Sequence, residues 1–207
     1  MALHKQHLHL SLLTLIWAVG LLVTGWQPYD RGTWLLEVLP AIVALPILWW
    51  TRILFPLTPL VYYAVCLHGL VLMLGGMYTY ARVPLGFEMQ EWLGLDRNPY
   101  DKVGNFFQGF VPALVAREIL VRGNFVRGAG MLRFVVVSIV MFISSFYELV
   151  EWWTALLLGQ GAVEFLGTQG YVWDTQSDMF YALIGAICAL LTMTAWQDKQ
   201  IGQLGTH

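Results

Sequence analysis

The sequence predicts an all-α fold, a polytopic bundle of about six transmembrane helices with both termini in the cytoplasm, formed by residues 1–207 as a single integral membrane domain. Three observations carry this. Hydrophobic residues make up 58% of the chain and charged residues 12%, about half the ~25% charged share of an ordinary soluble domain. Six stretches reach or approach the roughly 20 apolar residues needed to cross the hydrocarbon core: 8–26, 34–51, 56–78, 104–122, 131–152 and 176–196. Lysine and arginine gather in the connections on one side.

The first stretch, LHLSLLTLIWAVGLLVTGW, follows His4, Lys5, His7 and His9. It lacks the short core and small-x-small site of a cleaved leader, so a retained span is expected. Pro40 and Pro46 lie inside the second stretch and Pro112 inside the fourth; kinks are expected there, because proline removes an intrahelical donor. Pro28, Pro84 and Pro99, with Gly123, Gly128, Gly130, Gly159, Gly161, Gly167 and Gly170, punctuate the gaps. The connections at 27–33, 52–55 and 123–130 are short, while 79–103 and 153–175 are long. Within 79–103, LGFEMQEWLGL predicts a short amphipathic helix in the interface, anchored by Trp92. Trp26, Trp34, Trp49, Trp50, Trp152, Trp153 and Trp173 fall near predicted interfaces, where aromatic belts form.

Lys5, Arg52, Arg122, Arg127 and Lys199, with Arg117 and Arg133 close by, mark one side. The other carries Arg31, Arg82, Arg97 and Lys102, and 153–175 has no Lys or Arg. The positive-inside rule therefore gives an N-in/C-in multi-pass protein with its long loops outward. A net charge of −2 without a basic tract excludes a nucleic-acid partner. Cys66 and Cys188 lie singly in apolar runs and read as packing residues.

Charge inside such runs needs an explanation. Residues 144–153 read SSFYELVEWW. Glu148 and Glu151, at i and i+3, share a helix face near a C-terminal end, where the macrodipole disfavours anions. Asp101, Asn105 and Gln108 share a face at the outer end of the fourth span, and Asp174 and Asp178 one at the outer end of the sixth. Three helices thus bring polar faces to one membrane level. Asp101 as an N-cap, and Thr175 to Asp178 as a capping box, would account locally for two of the aspartates. The glutamates have no such account. A loop cation (Arg82, Arg97 or Lys102), a shared proton, or a metal ion would each answer their charge. Oxygen-rich sets suit Mg, Ca or Mn, and His68 would extend the choice to Zn. His68 also sits mid-span among Gly69, Gly75 and Gly76, where a packing role is the simpler reading. The candidate catalytic residues are Glu148, Asp178 and Asp101. The candidate metal ligands are Glu148, Glu151, Asp101, Asn105, Asp174, Asp178 and His68. At the inner end, Glu118 and Arg122 are spaced i, i+4 beside Arg117 and predict a helix-end ion pair.

Four ordered motifs, HGLVLMLGGMYTYARVPLG (68–86), NPYDKVGNFFQGFVPALVAREIL (98–120), FYELVEWW (146–153) and FLGTQGYVWDTQSDMFYALIGA (165–186), resemble those of the YjdF-like inner-membrane proteins, a family without an assigned function. The resemblance covers nearly the whole chain and implies a bacterial multi-pass inner-membrane protein. Asn105 stands where that family's pattern usually has His, in a His-Phe-x-Gln-Gly run; Asn keeps a carbonyl oxygen but has no imidazole nitrogen. Asp101-Lys102, Asn105-Phe106, a Glu-bearing helix and Asp178 with Gly185 are also similar to the pattern of VanZ-like membrane proteins, an analogy at the level of motif order.

Three functions fit these residues. An enzyme would use a metal-loaded carboxylate site on a lipid or lipid-linked envelope substrate entering from the outer leaflet. A cation- or proton-coupled carrier would use the same carboxylates, with a homodimer supplying its second half. An envelope assembly protein would use them only to clamp helices.

Overall fold

The structure, a computed structural model, describes residues 2–158 and 169–204. Gly159, Gly161 and Gly167 of the second long connection lie outside the described residues. Among the described residues eight helices follow in order: α1 Ala2–Trp26, α2 Arg31–Thr51, α3 Pro59–Met77, α4 Pro84–Leu93, α5 Tyr100–Arg122, α6 Ala129–Leu158, α7 Asp174–Thr192 and α8 Thr194–Leu204. Each of the six expected stretches is mainly helical, but 56–78 turns helical only at Pro59, and 176–196 is broken at Met193 between α7 and α8. The helix in LGFEMQEWLGL is α4, with Trp92 exposed.

α1, α2, α3, α6 and α7 are long and apolar enough to cross a membrane. α5 is long enough, about 34 Å at 1.5 Å per residue, but carries Asp101, Lys102, Arg117, Glu118 and Arg122. It is placed at the centre instead, packed on α3, α6 and α7, so its polar groups meet protein. Pairings fix the directions. Trp17 donates to the Cys66 carbonyl, so α1 and α3 run together. Trp34 to Thr24 and Trp49 to Thr14 set α2 antiparallel to α1. Thr58 to Glu118 and Tyr100 to Val71 set α5 antiparallel to α3. α7 runs with α5, and α1 begins and α8 lies on the side marked by Glu118.

α5 and α7 form the closest pair. A Cβ at Gly109 would strike the Ala182 carbonyl, and one at Gly185 the Phe106 carbonyl. The other glycine device holds the opposite flank of α5. After α3, Thr79 and Tyr80 enter the left-handed region at φ 54° and 49°, a costly conformation for a bulky residue. The turn drives the Tyr80 ring between Gly75 and Gly104, which have no side chains to block it, and its hydroxyl reaches Glu37.

Asp30 caps α2, accepting from the Thr33 N–H at 2.7 Å. That donor holds the Asp30 carboxyl below the usual carboxylate range. A lowered carboxyl stabilises above its unfolded pKa and loses the contribution as pH falls through the folded one. Asp30→Ala should therefore cost about 1 kcal/mol at pH 7 and almost nothing in strong acid. Unfolding of both proteins in a detergent titration at the two pH values checks this.

At the far end, Glu118 is fully buried. It accepts from the Thr58 N–H (2.8 Å), the Thr58 hydroxyl (2.6 Å) and Arg122 (3.0 Å). Arg117 pairs with Asp198 at 2.7 Å and donates to Gln197, whose amide returns to the Leu114 carbonyl. The expected ion pair is present, but within a network tying α5 to α8 and the entry to α3. Its acids and bases balance.

Candidate functional site

The end opposite Glu118 is built differently. Asp101 lies in the first turn of α5, with Pro99 at the N-cap and no side-chain cap. Asp174 opens α7 and Asp178 follows one turn later on the same face. Parallel packing of α5 and α7 brings them together. One carboxylate oxygen each from Asp101, Asp174 and Asp178 lies within 4.8 Å of the others. The Asp101 and Asp178 carboxyls meet within hydrogen-bonding reach, which requires a proton or a cation between them. Asn105 donates to Asp101 at 3.2 Å, and Arg97 pairs with Asp174 at 2.7 Å. Oδ1 of Asp178 is buried with no hydrogen-bond partner among the described residues.

Two sequence expectations are corrected. Neither capping account holds: α7 begins at Asp174 with Trp173 at its N-cap, and the Thr175 side chain turns to Glu148 instead. Helix-start chemistry was overridden because the neighbouring acids of α5 and α6 compete for the same groups. Of the three loop cations, Arg97 is the one joined to an aspartate; Lys102 lies over the Tyr181 ring at 5.4 Å and Arg82 over Tyr29 at 4.0 Å.

The seven predicted ligands do not form one cluster. Asp101, Asp174 and Asp178 do, with Asn105 attached. Glu148 is half-buried at its rim, held by Thr175. Glu151 faces a cavity of about 530 Å³ bounded by α2, α3, α5 and α6, shared with Asp101, Asn105, Asp178 and His68. His68 lies along the wall beside Phe107, ring centroids 6.5 Å apart, with Nε2 buried and unpartnered; it is not in the aspartate cluster.

Glu37, Tyr80 and Tyr147 are site residues that the sequence reading missed. Glu37 is 6% exposed on α2, lines the cavity beside Tyr80 and Tyr147, and has Asp101 as a charged neighbour. The signal was available: Glu37 is the single charge within the apolar run 34–51, and such residues face the interior.

The cavity continues away from the acids along Pro112, Val115, Ile119 and Leu120 of α5 and Ile139 and Ile143 of α6. Pro112 frees the Gln108 carbonyl from its helix bond, and both residues line the space. α2 packs on α3, and α6 on α5 and α7; α2 and α6 are not a packed pair. Pro40 of α2 and Ile143 of α6 both line the cavity and are both exposed, on two helices that leave a gap between them in the bundle.

Residues 9–199 match a family described as "Predicted membrane protein (DUF2238)". Over 198 residues the chain is 55% identical to "Inner membrane protein YjdF" of Escherichia coli (strain K12), covering 96% of this chain and 94% of that protein. No solved structure matches.

Proposed function

The chain belongs to the DUF2238 family of multi-pass inner-membrane proteins, and from that premise we propose that its aspartate cluster is a divalent-cation site of a membrane-embedded enzyme acting on a lipid or lipid-linked envelope molecule. The observation that carries the reading is the convergence of Asp101, Asp174 and Asp178 oxygens with Oδ1 of Asp178 buried and unanswered. Oxygen donors of this kind suit Mg, Ca or Mn. Asn105 adds a carbonyl oxygen, and Arg97 orients Asp174. A cation here would polarise an ester or phosphoryl oxygen, or lower the pKa of a bound water. Glu148, held by Thr175, is the nearby acid/base group. The Lys and Arg distribution supports an outward placement of this end, N-in/C-in termini and α4 in the outer interface.

A second reading, a cation- or proton-coupled carrier, draws on the length of the cavity. Asp101 and Leu120 both line it; they are 19 residues apart, about 28 Å on a helix, nearly the ~30 Å hydrocarbon thickness. Clamping alone is the weaker account, because the Glu118 network balances its charges and this cluster does not.

Elemental analysis of the purified protein decides first. Wild type should carry about one divalent ion per chain, and Asp178→Asn should lose it while melting near wild type. Absence of metal in wild type would sink the cation site. A cysteine placed in 160–171 should react with an impermeant thiol reagent in intact cells; labelling only after lysis would reverse the orientation.

A further inference from the structure

The portion of the cavity outside the aspartate cluster has a chemistry of its own. Glu37 on α2 and Glu151 on α6 both line it. The cavity has no Lys or Arg in its lining among the described residues. The charged groups felt by Glu37 and Glu151 are other carboxylates. Of the cations nearest Asp101, Arg97 pairs with Asp174 and Lys102 lies over the Tyr181 ring. Beyond the glutamates the wall becomes apolar, through Ala44, Val115, Ile139 and Ile143. The space of about 530 Å³ is roughly three and a half times the ~150 Å³ engineered cavity that holds benzene, so at the same filling it takes about 20 non-hydrogen atoms. One long chain with a small head fits that number; two acyl chains on a glycerophosphate do not.

We propose that this cavity binds a single-chain amphiphile with a protonated amine head, entering from the bilayer between α2 and α6, its head between Glu37 and Glu151 and its chain along α5 and α6. The proposal rests on the cavity being the working site, as above, but on carboxylates outside the Asp101–Asp174–Asp178 cluster. Selectivity comes from the head. A hydrocarbon chain moving from bilayer to protein leaves one apolar medium for another and gains little. A primary amine is protonated at neutral pH and answers the carboxyls of buried Glu37 and half-buried Glu151. A phosphate head finds no Lys or Arg among the described lining residues to answer its charge.

The full chain in phosphatidylcholine nanodiscs, probed by native mass spectrometry with hexadecylamine, hexadecanol, hexadecyl phosphate and dihexadecylamine, tests this. Hexadecylamine should be retained at least about tenfold better than hexadecanol, the ratio that one favourable charge contact gives, and dihexadecylamine should be excluded. Glu37→Gln with Glu151→Gln should bring amine and alcohol together while alcohol binding persists, which shows the variant folded. Ala44→Trp should remove both. Equal binding of amine and alcohol in wild type, or an amine preference surviving the double substitution, overturns the head assignment. Retention of dihexadecylamine overturns the single-chain assignment. Hexadecyl phosphate held only with added magnesium, with the amine rejected, overturns this inference and supports the cation cluster. Loss of metal in Asp178→Asn reads that cluster separately.

Discussion

Gly185→Val should leave the chain largely unable to assemble its central helix pair. Any side chain at 185 meets the Phe106 carbonyl and the Phe110 backbone nitrogen. Backbone cannot rotate aside as a side-chain tip can, so α5 and α7 must separate along their contact. Overpacking in a core typically costs 1–3 kcal/mol, occasionally more, and the backbone clash puts this case at ~3 kcal/mol or above. Against a total stability of roughly 5–15 kcal/mol, that is a large share. Asp101 and Asp178 would part with the helices, so metal content should fall together with folded yield. Gly109→Val meets the Ala182 carbonyl from the other side and should behave alike. Gly202→Val, where a Cβ meets open space, should be near neutral. Monodisperse yield after size exclusion, and the melting temperature of what remains, read the three side by side.

Glu118→Ala should cost about 3–5 kcal/mol, the usual loss when one partner of a buried ion pair is removed. The substitution strands Arg122, which otherwise holds Glu118, the Pro56 carbonyl and the Phe55 ring. It also leaves the Thr58 N–H and hydroxyl without their acceptors. Arg122→Ala should cost comparably, and the double substitution clearly less than the sum, because each single change already abandons the same partner. Additive losses in a detergent-unfolding cycle would mean that the two residues act independently. Neither change should alter binding at the acidic end, since the network lies at the opposite end of α5.

The spans were legible in the sequence because hydrocarbon leaves a chain few options: apolar length near 20 residues, with Gly and Pro between. The aspartates were legible as a set because i, i+4 spacing fixes a face before the fold is known. Which acids touch was not, because that depends on α5 and α7 running parallel and meeting through Gly109 and Gly185, a long-range fact. The capping-box reading of Thr175 to Asp178 failed for the same reason: local hydrogen-bond chemistry is weak beside a neighbouring helix that offers stronger partners. Glu37 was overlooked although it was visible, one acid in a run otherwise apolar from Trp34 to Trp50. Glu118 was read as a helix-end ion pair with Arg122 and no more, because nothing in its neighbourhood announces Thr58 or Gln197, 60 and 79 residues away.

The polar central helix also sets an order of events during synthesis. α5 leaves the ribosome before the segments that shield it, for Gln197 follows Arg117 by 80 residues. At ~5–20 residues per second, that gap is roughly 4–16 s. Through that interval Arg117 and Glu118 have no Gln197 or Asp198, and Asp101 has no Asp178 beside it. A helix with five charged residues is then a poor candidate for release into lipid on its own. Its partners arrive with α6, α7 and α8, so the first three spans form a scaffold that waits, and the acidic chamber, followed by the Glu118 network with Gln197 and Asp198, is completed late.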